Sequence, residues 1–112
     1  MRAFMATIAN LVVDQGTTFI TSINLTNDDG SEKDLTDYTA TAQIRKSYYT
    51  STYTAFTVTK TDLTGEITLA LSSTQTSALK AGRYVYDLEI SSAEETVRII
   101  EGIVTVTPEV TR

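Results

Sequence analysis

Hydrophobic and polar residues alternate along most of this chain, most cleanly between Gly82 and Ile90. There Tyr84, Tyr86, Leu88 and Ile90 fall on one side, and Arg83, Val85, Asp87 and Glu89 on the other. A period of two is what a strand needs when one wall meets a core and the other meets water. The same rhythm recurs in Phe19, Thr21, Ile23 and Leu25, in Tyr38, Ala40, Ala42 and Ile44, and in Ile67, Leu69 and Leu71. Tyr53 to Thr59 predicts a further strand, with Phe56 and Val58 on one side. Ile8 to Asp14 predicts another, although its run Leu11-Val12-Val13 does not choose a face.

The last predicted strand, Glu95 to Thr107, changes parity midway. Val97 and Ile99 share one side, whereas Ile100, Val104 and Val106 share the other. A shift near Glu101-Gly102 predicts a β-bulge there, or a strand that leaves one sheet for another. Asn27-Asp28-Asp29-Gly30, Asp62 to Gly65 and Ser91 to Glu94 read as turns, because Asx residues and glycine accept left-handed backbone. Ser31 to Asp37 reads as a polar loop anchored by Leu35. Ser72 to Ala81 breaks the alternation and predicts one short helical turn near 73–80, capped by a hydroxyl and closed by Gly82, with Leu79 plugging one end. About seven antiparallel strands joined by short turns predict an all-β, immunoglobulin-like two-sheet sandwich, with an open barrel as the alternative. Across its two sheets, Tyr84, Tyr86, Leu88 and Ile90 are expected to pack against Ile23, Leu25, Ala42 and Ile44.

Composition narrows the chemistry. The 112 residues suit a single domain spanning 1–112, with 1–6 as an N-terminal arm and 108–112 as a tail. Cysteine and histidine are absent from the sequence. That excludes disulfides, thiolate nucleophiles, imidazole bases and the usual zinc sites. Net charge is −5, and the largest basic cluster is the pair Arg45-Lys46, so no nucleic-acid-binding stripe is expected. No apolar run approaches the length of a membrane-spanning helix. Met1 to Thr7 lacks the apolar centre of a secretory signal, so the expectation is a soluble chain outside the general secretion route. Abundant threonine suits the wet face of a sheet.

Few residues invite a chemical role. Tyr48-Tyr49-Thr50-Ser51-Thr52-Tyr53 lies between two predicted strands, at a hairpin tip. Tyrosine supplies large contact area at low entropic cost, so Tyr48, Tyr49 and Tyr53 are candidate partner contacts. The alternative is that these rings fold back onto the end of the sandwich. Phe4 and Met5, in an arm with no strand pattern of its own, are further candidate contacts to a neighbouring chain. Asp28, Asp29, Glu32 and Asp34 offer the oxygen ligands calcium prefers, but the expected first ligand position falls on Leu25, which favours a solvated turn. Asp87 and Glu89 imitate a glycosidase carboxylate pair, yet alternating acids on an outer strand face need no such explanation. Lys80, Arg83, Arg45 and Lys46 read as solvated charges at a rim that would suit an acidic partner. No catalytic residue, metal or cofactor is assigned, and the expectation is a protein without enzymatic activity.

Several blocks together carry a family resemblance. They are Asp34-Leu35-Thr36-Asp37-Tyr38, Ala42-Gln43-Ile44-Arg45-Lys46, Thr64-Gly65-Glu66-Ile67-Thr68-Leu69, and Leu79 through Asp87. The chain closes on Glu101-Gly102-Ile103-Val104-Thr105-Val106-Thr107-Pro108-Glu109-Val110. In this order they resemble small virion proteins of tailed bacteriophages, especially marine and cyanobacterial ones. They are also similar to the N-terminal immunoglobulin-like domain of the phage baseplate upper protein family. Asp37 departs from the glycine common at that position of the family. The resemblance runs from Ile8 onward and implies a virion-building module without fixing tail, baseplate or capsid; the leading expectation is a non-enzymatic adaptor or assembly subunit associated with the tail or baseplate. Its implied partners are other virion proteins and further copies of itself in a symmetric array, with no nucleic acid or membrane. A capsid cement or decoration protein is the alternative, and a host- or carbohydrate-binding module using the Tyr48–Tyr53 tip is the third reading.

Overall fold

A computed structural model describes residues 7–26, 31, 33–47 and 49–110. The described residues form nine strands and one helix. In chain order these are β1 (Thr7–Ile8), β2 (Leu11–Asp14), β3 (Phe19–Asn24), β4 (Thr39–Arg45), β5 (Thr54–Ala55), β6 (Thr57–Thr61), β7 (Glu66–Leu71), α1 (Ser73–Ala78), β8 (Gly82–Ser91) and β9 (Thr96–Thr107). The larger sheet runs β1-β9-β8-β4-β5, with β2 also beside β9, and the smaller runs β3-β7-β6. This is an all-β, immunoglobulin-like sandwich of two sheets.

The predicted strands are present, with three corrections, the first being that the strand expected from Ile8 to Asp14 is broken at Ala9-Asn10 into β1 and β2. β1 and β2 lie parallel to β9, with Thr7 beside Ile100 and Leu11 beside Val104, so the strands are not uniformly antiparallel. Side-chain alternation is blind to strand direction, which is why the pattern could not show this. The single strand expected from Tyr53 to Thr59 is two. β5 pairs with β4, Phe56 turns into the core, and β6 continues along β7 in the other sheet.

The inner walls follow the period of two. Ile67, Leu69 and Leu71 of β7, together with Leu25, line the smaller sheet, while Tyr86, Leu88 and Ile90 of β8 line the larger. Ala42 and Ile44 do not face β8 across the core as expected. They stand beside Leu88 and Tyr86 in the same sheet, because β4 and β8 are paired neighbours. Leu35 is fully buried, as the loop-anchor reading required, and its N–H donates to the Asp62 carbonyl at 2.7 Å.

The parity change in β9 is a bulge, but it lies before Glu101-Gly102. Leu88 pairs with Ile100 and Glu89 with Arg98, leaving Ile99 as the extra residue, so that both isoleucines turn inward. Gly102 serves another purpose. A Cβ there would collide with the Ala9 carbonyl, where the edge breaks between β1 and β2. Asn10 Oδ1 accepts from the Ile103 N–H at 3.0 Å across this break, and the Tyr86 hydroxyl donates to the Ala9 carbonyl at 2.5 Å. Burial pushes the Tyr86 phenol up to about 12.

The predicted helical turn is α1. Ser72 Oγ accepts from the Gln75 N–H at 3.1 Å while Gln75 Oε1 accepts from the Ser72 N–H at 2.9 Å, a reciprocal cap. Leu79 is buried below it, as expected of a plug. Gly82 does not close the helix; it opens β8 at φ +138°. Thr76, fully buried, donates to the Thr17 carbonyl at 2.8 Å and accepts from the Gly16 N–H at 3.0 Å, which ties α1 to the β2–β3 connection.

Candidate contact surface

The outer face of the larger sheet is where this chain concentrates chemically distinct side chains. β4 contributes Thr41, Gln43 and Arg45, β8 contributes Val85, Asp87 and Glu89, and β9 contributes Arg98. The register sets Gln43 beside Asp87, Thr41 beside Glu89 and Glu89 beside Arg98. Together these residues line a shallow cleft of about 370 Å³. Asp87 and Glu101 stand directly opposite one another on β8 and β9, an unfavourable like-charge pairing. Arg98 offsets it, with Nε 3.3 Å from Asp87 Oδ2.

Arg45 organises the adjoining loop. Its Nη1 donates to the Thr50 carbonyl at 2.6 Å and its Nη2 to Gln43 Oε1 at 2.9 Å. The guanidinium carbon also lies 5.0 Å from the centre of the Tyr53 ring, within cation–π range. A second turn contact joins Ser47 Oγ and Thr50 Oγ1 at 2.9 Å. The loop is therefore braced from the sheet side, with Tyr49 standing out into solvent and Tyr53 lying half-exposed over Arg45. Tyr49 is 98% exposed and Tyr53 is 53% exposed. Neither folds back to close the sandwich. Tyr48, Phe4 and Met5, the other predicted contact residues, lie outside the described residues, as do Asp28, Asp29 and Glu32 of the calcium reading.

Of the remaining rim cations, Lys80 and Arg83 are exposed, as solvated charges would be, whereas Lys46 is engaged. Lys46 Nζ donates to the Arg83 carbonyl at 3.0 Å and sits 4.7 Å from the Tyr84 ring centre. Asp34, in the calcium reading a ligand, is used by its own turn: it accepts from the Thr36 hydroxyl and N–H, and these bonds hold its carboxyl below the usual range. Among the described residues, no group of three or more acidic side chains converges as a cation site would require. Asp87 and Glu89 both border the cleft, and Asp87 is engaged by Arg98. The arrangement presents hydrogen-bond donors and acceptors beside an exposed ring.

Sequence reasoning did not single out Thr41, Gln43, Val85 or Arg98 as members of one surface. The available signal was the outer half of each alternating strand, but reading it needs the order of β4, β8 and β9 in the sheet.

No family model matches the chain, and no curated protein matches it. Among solved structures, InlP of Listeria monocytogenes is similar at 15% identity and a TM-score of 0.49, covering 91% of this chain and 28% of InlP. A structure concerned with multimeric cell-adhesive interactions of VGSC beta subunits is similar at 10% identity and a TM-score of 0.48, covering 96% of this chain and 98% of the other. A family 123 glycoside hydrolase from Clostridium perfringens is similar at 12% identity and a TM-score of 0.41, covering 94% of this chain and 24% of the enzyme. Likenesses this distant carry no argument about function. The resemblance to phage virion proteins draws no support from these comparisons.

Proposed function

We propose that this domain is a non-catalytic structural module of a tailed-phage virion, seated in the tail or baseplate, that binds neighbouring virion proteins through the Tyr49–Tyr53 loop and the adjoining sheet face. The observation that carries the contact role is the exposure of Tyr49 and Tyr53 on a loop braced by Arg45. An exposed aromatic pair on a supported loop loses little entropy when a partner covers it, which is what makes such residues hot spots. The virion setting rests on the sequence blocks described above, and a capsid decoration site is its alternative within the same class.

A second reading is a host- or carbohydrate-binding module. It is favoured by the cleft, where Gln43, Thr41, Asp87 and Arg98 offer donors and acceptors on the sheet that carries Arg45 and its Tyr53 contact. A cryo-EM reconstruction of the particle separates the two. The structural role predicts the domain traced at a fixed position, with the tyrosine loop against a neighbouring subunit. A domain absent from the particle contradicts that role. A domain whose loop and cleft both face solvent at the particle surface favours the binding module.

A further inference from the structure

Four aliphatic side chains stand on the outer wall of the larger sheet. Ile8 of β1 is 74% exposed, Val12 of β2 63% and Ile103 of β9 37%, with Val85 of β8 half-buried beside them. Val85 pairs with Ile103, while Ile8 and Val12 lie diagonally to either side, next to Glu101 and Thr105. Scattered singly, exposed aliphatics need no explanation; gathered in one place, they mark a contact surface.

Charge is distributed unevenly around this patch. Ile103 and Val85 form its central row, which Arg45 continues on β4. Two residues along the strands in one direction, the row reads Val12, Thr105 and Arg83. Two residues the other way, it reads Ile8, Glu101, Asp87 and Gln43. One flank is cationic and the other anionic, and each ends in an exposed aliphatic. The anionic flank is short of cations, because Asp87 and Glu101 stand opposite one another and Arg98 engages Asp87. Arg83 is exposed, and neither it nor Glu101 forms an ion pair among the described residues.

We propose that two copies of the chain pack sheet to sheet through this face, about a two-fold axis running between them parallel to the Ile103–Val85 row. Such a contact puts the same patch on both sides, so the patch must complement itself. A half-turn about that row achieves this. It lays Ile8 against Val12 of the second copy, Ile103 against Ile103, Val85 against Val85, Thr105 against Glu101 and Arg83 against Asp87. The centre is aliphatic and uncharged, a hydroxyl meets a carboxylate, and a guanidinium supplies the second cation that Asp87 and Glu101 lack. Arg45, the cation of the axial row, is drawn aside to the Thr50 carbonyl and the Tyr53 ring, which keeps two like charges apart. Four strands about 4.8 Å apart, over about eight residues of ~3.4 Å each, give a face of roughly 500 Å² per copy. The pair buries about 1,000 Å², the lower end for a specific interface, so the dimer is a weak one. The inference does not rest on the virion setting or on the tyrosine loop, and of its contact residues only Val85 and Asp87 also line the cleft.

Sedimentation velocity on the full chain, from micromolar to submillimolar concentration, should show a monomer–dimer equilibrium. Ile103→Glu should leave only monomer at an unchanged melting temperature, because this side chain lies on the outer wall. Arg83→Glu and Asp87→Arg should each weaken self-association at least about tenfold, by setting like charges face to face. Mixed together, the two variants should form a heterodimer of parental strength, since one contact is then reversed in sign and the other is the parental pair. Tyr49→Ser with Tyr53→Ser should dimerise like the parent. A chain that stays monomeric throughout the series overturns the proposal, as does a dimer that Ile103→Glu leaves intact or a mixture that fails to recover. A dimer lost only in the tyrosine variant moves the self-contact to the loop, which overturns this inference and leaves the contact role of the loop standing.

Discussion

The two sheets share one inner rule and differ on their outer faces. Ile67, Leu69 and Leu71 on β7 do the same work as Tyr86, Leu88 and Ile90 on β8, and all six are buried. Outside, the smaller sheet presents mainly hydroxyls, with Ser22 bonded to Thr68 at 3.0 Å and Thr57, Thr59 and Thr61 exposed along β6. Ile20 is its exposed apolar residue. The larger sheet presents an Arg98–Asp87 pair, further charges, a cleft and a loop braced by Arg45. Threonine hydroxyls satisfy strand propensity and water together but offer a partner little to distinguish one position from the next. A face with opposite charges at fixed positions beside an exposed ring offers a pattern. The wet wall of a strand is thus free to vary, and it is on the larger sheet that it carries the surface proposed above for partner contact.

The comparison can be broken most forcefully from the inside. Leu88→Ala should cost about 2–5 kcal/mol in a denaturant or thermal unfolding experiment, as for other buried large-to-small changes. A near-neutral result would mean that β8 does not present its apolar side to a shared core. Tyr86→Phe should cost about 1 kcal/mol, the usual net worth of one internal hydrogen bond, here to the Ala9 carbonyl. It should also change the alkaline limb. The unfolded phenol titrates near ~10, so an unionised Tyr86 contributes its full stability below that pH and loses it as pH rises towards the folded value. Unfolding free energies measured from pH 9 to 12 should therefore fall less steeply in Tyr86→Phe than in the unaltered chain, and parallel curves would refute the burial argument. Smallest of all, Thr57→Ala or Thr59→Ala should stay within about 0.5 kcal/mol of the parent in melting experiments, because these side chains touch mainly water.

Much of the fold is written in the alternation. Leu35, Leu79 and the inward faces of β3, β4, β7 and β8 sit where the spacing of apolar residues puts them. Pairing was harder to read. The parallel course of β1 and β2 leaves no mark on which residues are apolar, and the change of sheet at Phe56 preserves the same alternation on both sides. The bulge announced itself as a parity change, but consecutive Ile99 and Ile100 fit either side of it, and the glycine at 102 drew the reading towards the wrong position. At the candidate surface, the place of Tyr49 and Tyr53 between strands was legible, but their exposure was not, because spacing alone left folding back onto the sandwich open. Arg45 bracing the loop, and Asp87 meeting Arg98, were not: both depend on β4, β8 and β9 being neighbours.

The central claim, that the tyrosine-bearing side of the larger sheet is the contact surface and the threonine face of the smaller is not, is tested most directly by incorporation of matched double variants. Tyr49→Ser with Tyr53→Ser, and Thr57→Ala with Thr59→Ala, would each be supplied in place of the parent chain during particle assembly, and the copies per purified particle counted by quantitative mass spectrometry. With melting temperatures unchanged, the tyrosine variant should fall at least about tenfold, since an aromatic hot spot typically contributes about 2 kcal/mol or more, and the threonine variant should incorporate like the parent. Equal incorporation of both, or a loss confined to the threonine variant, would contradict the account.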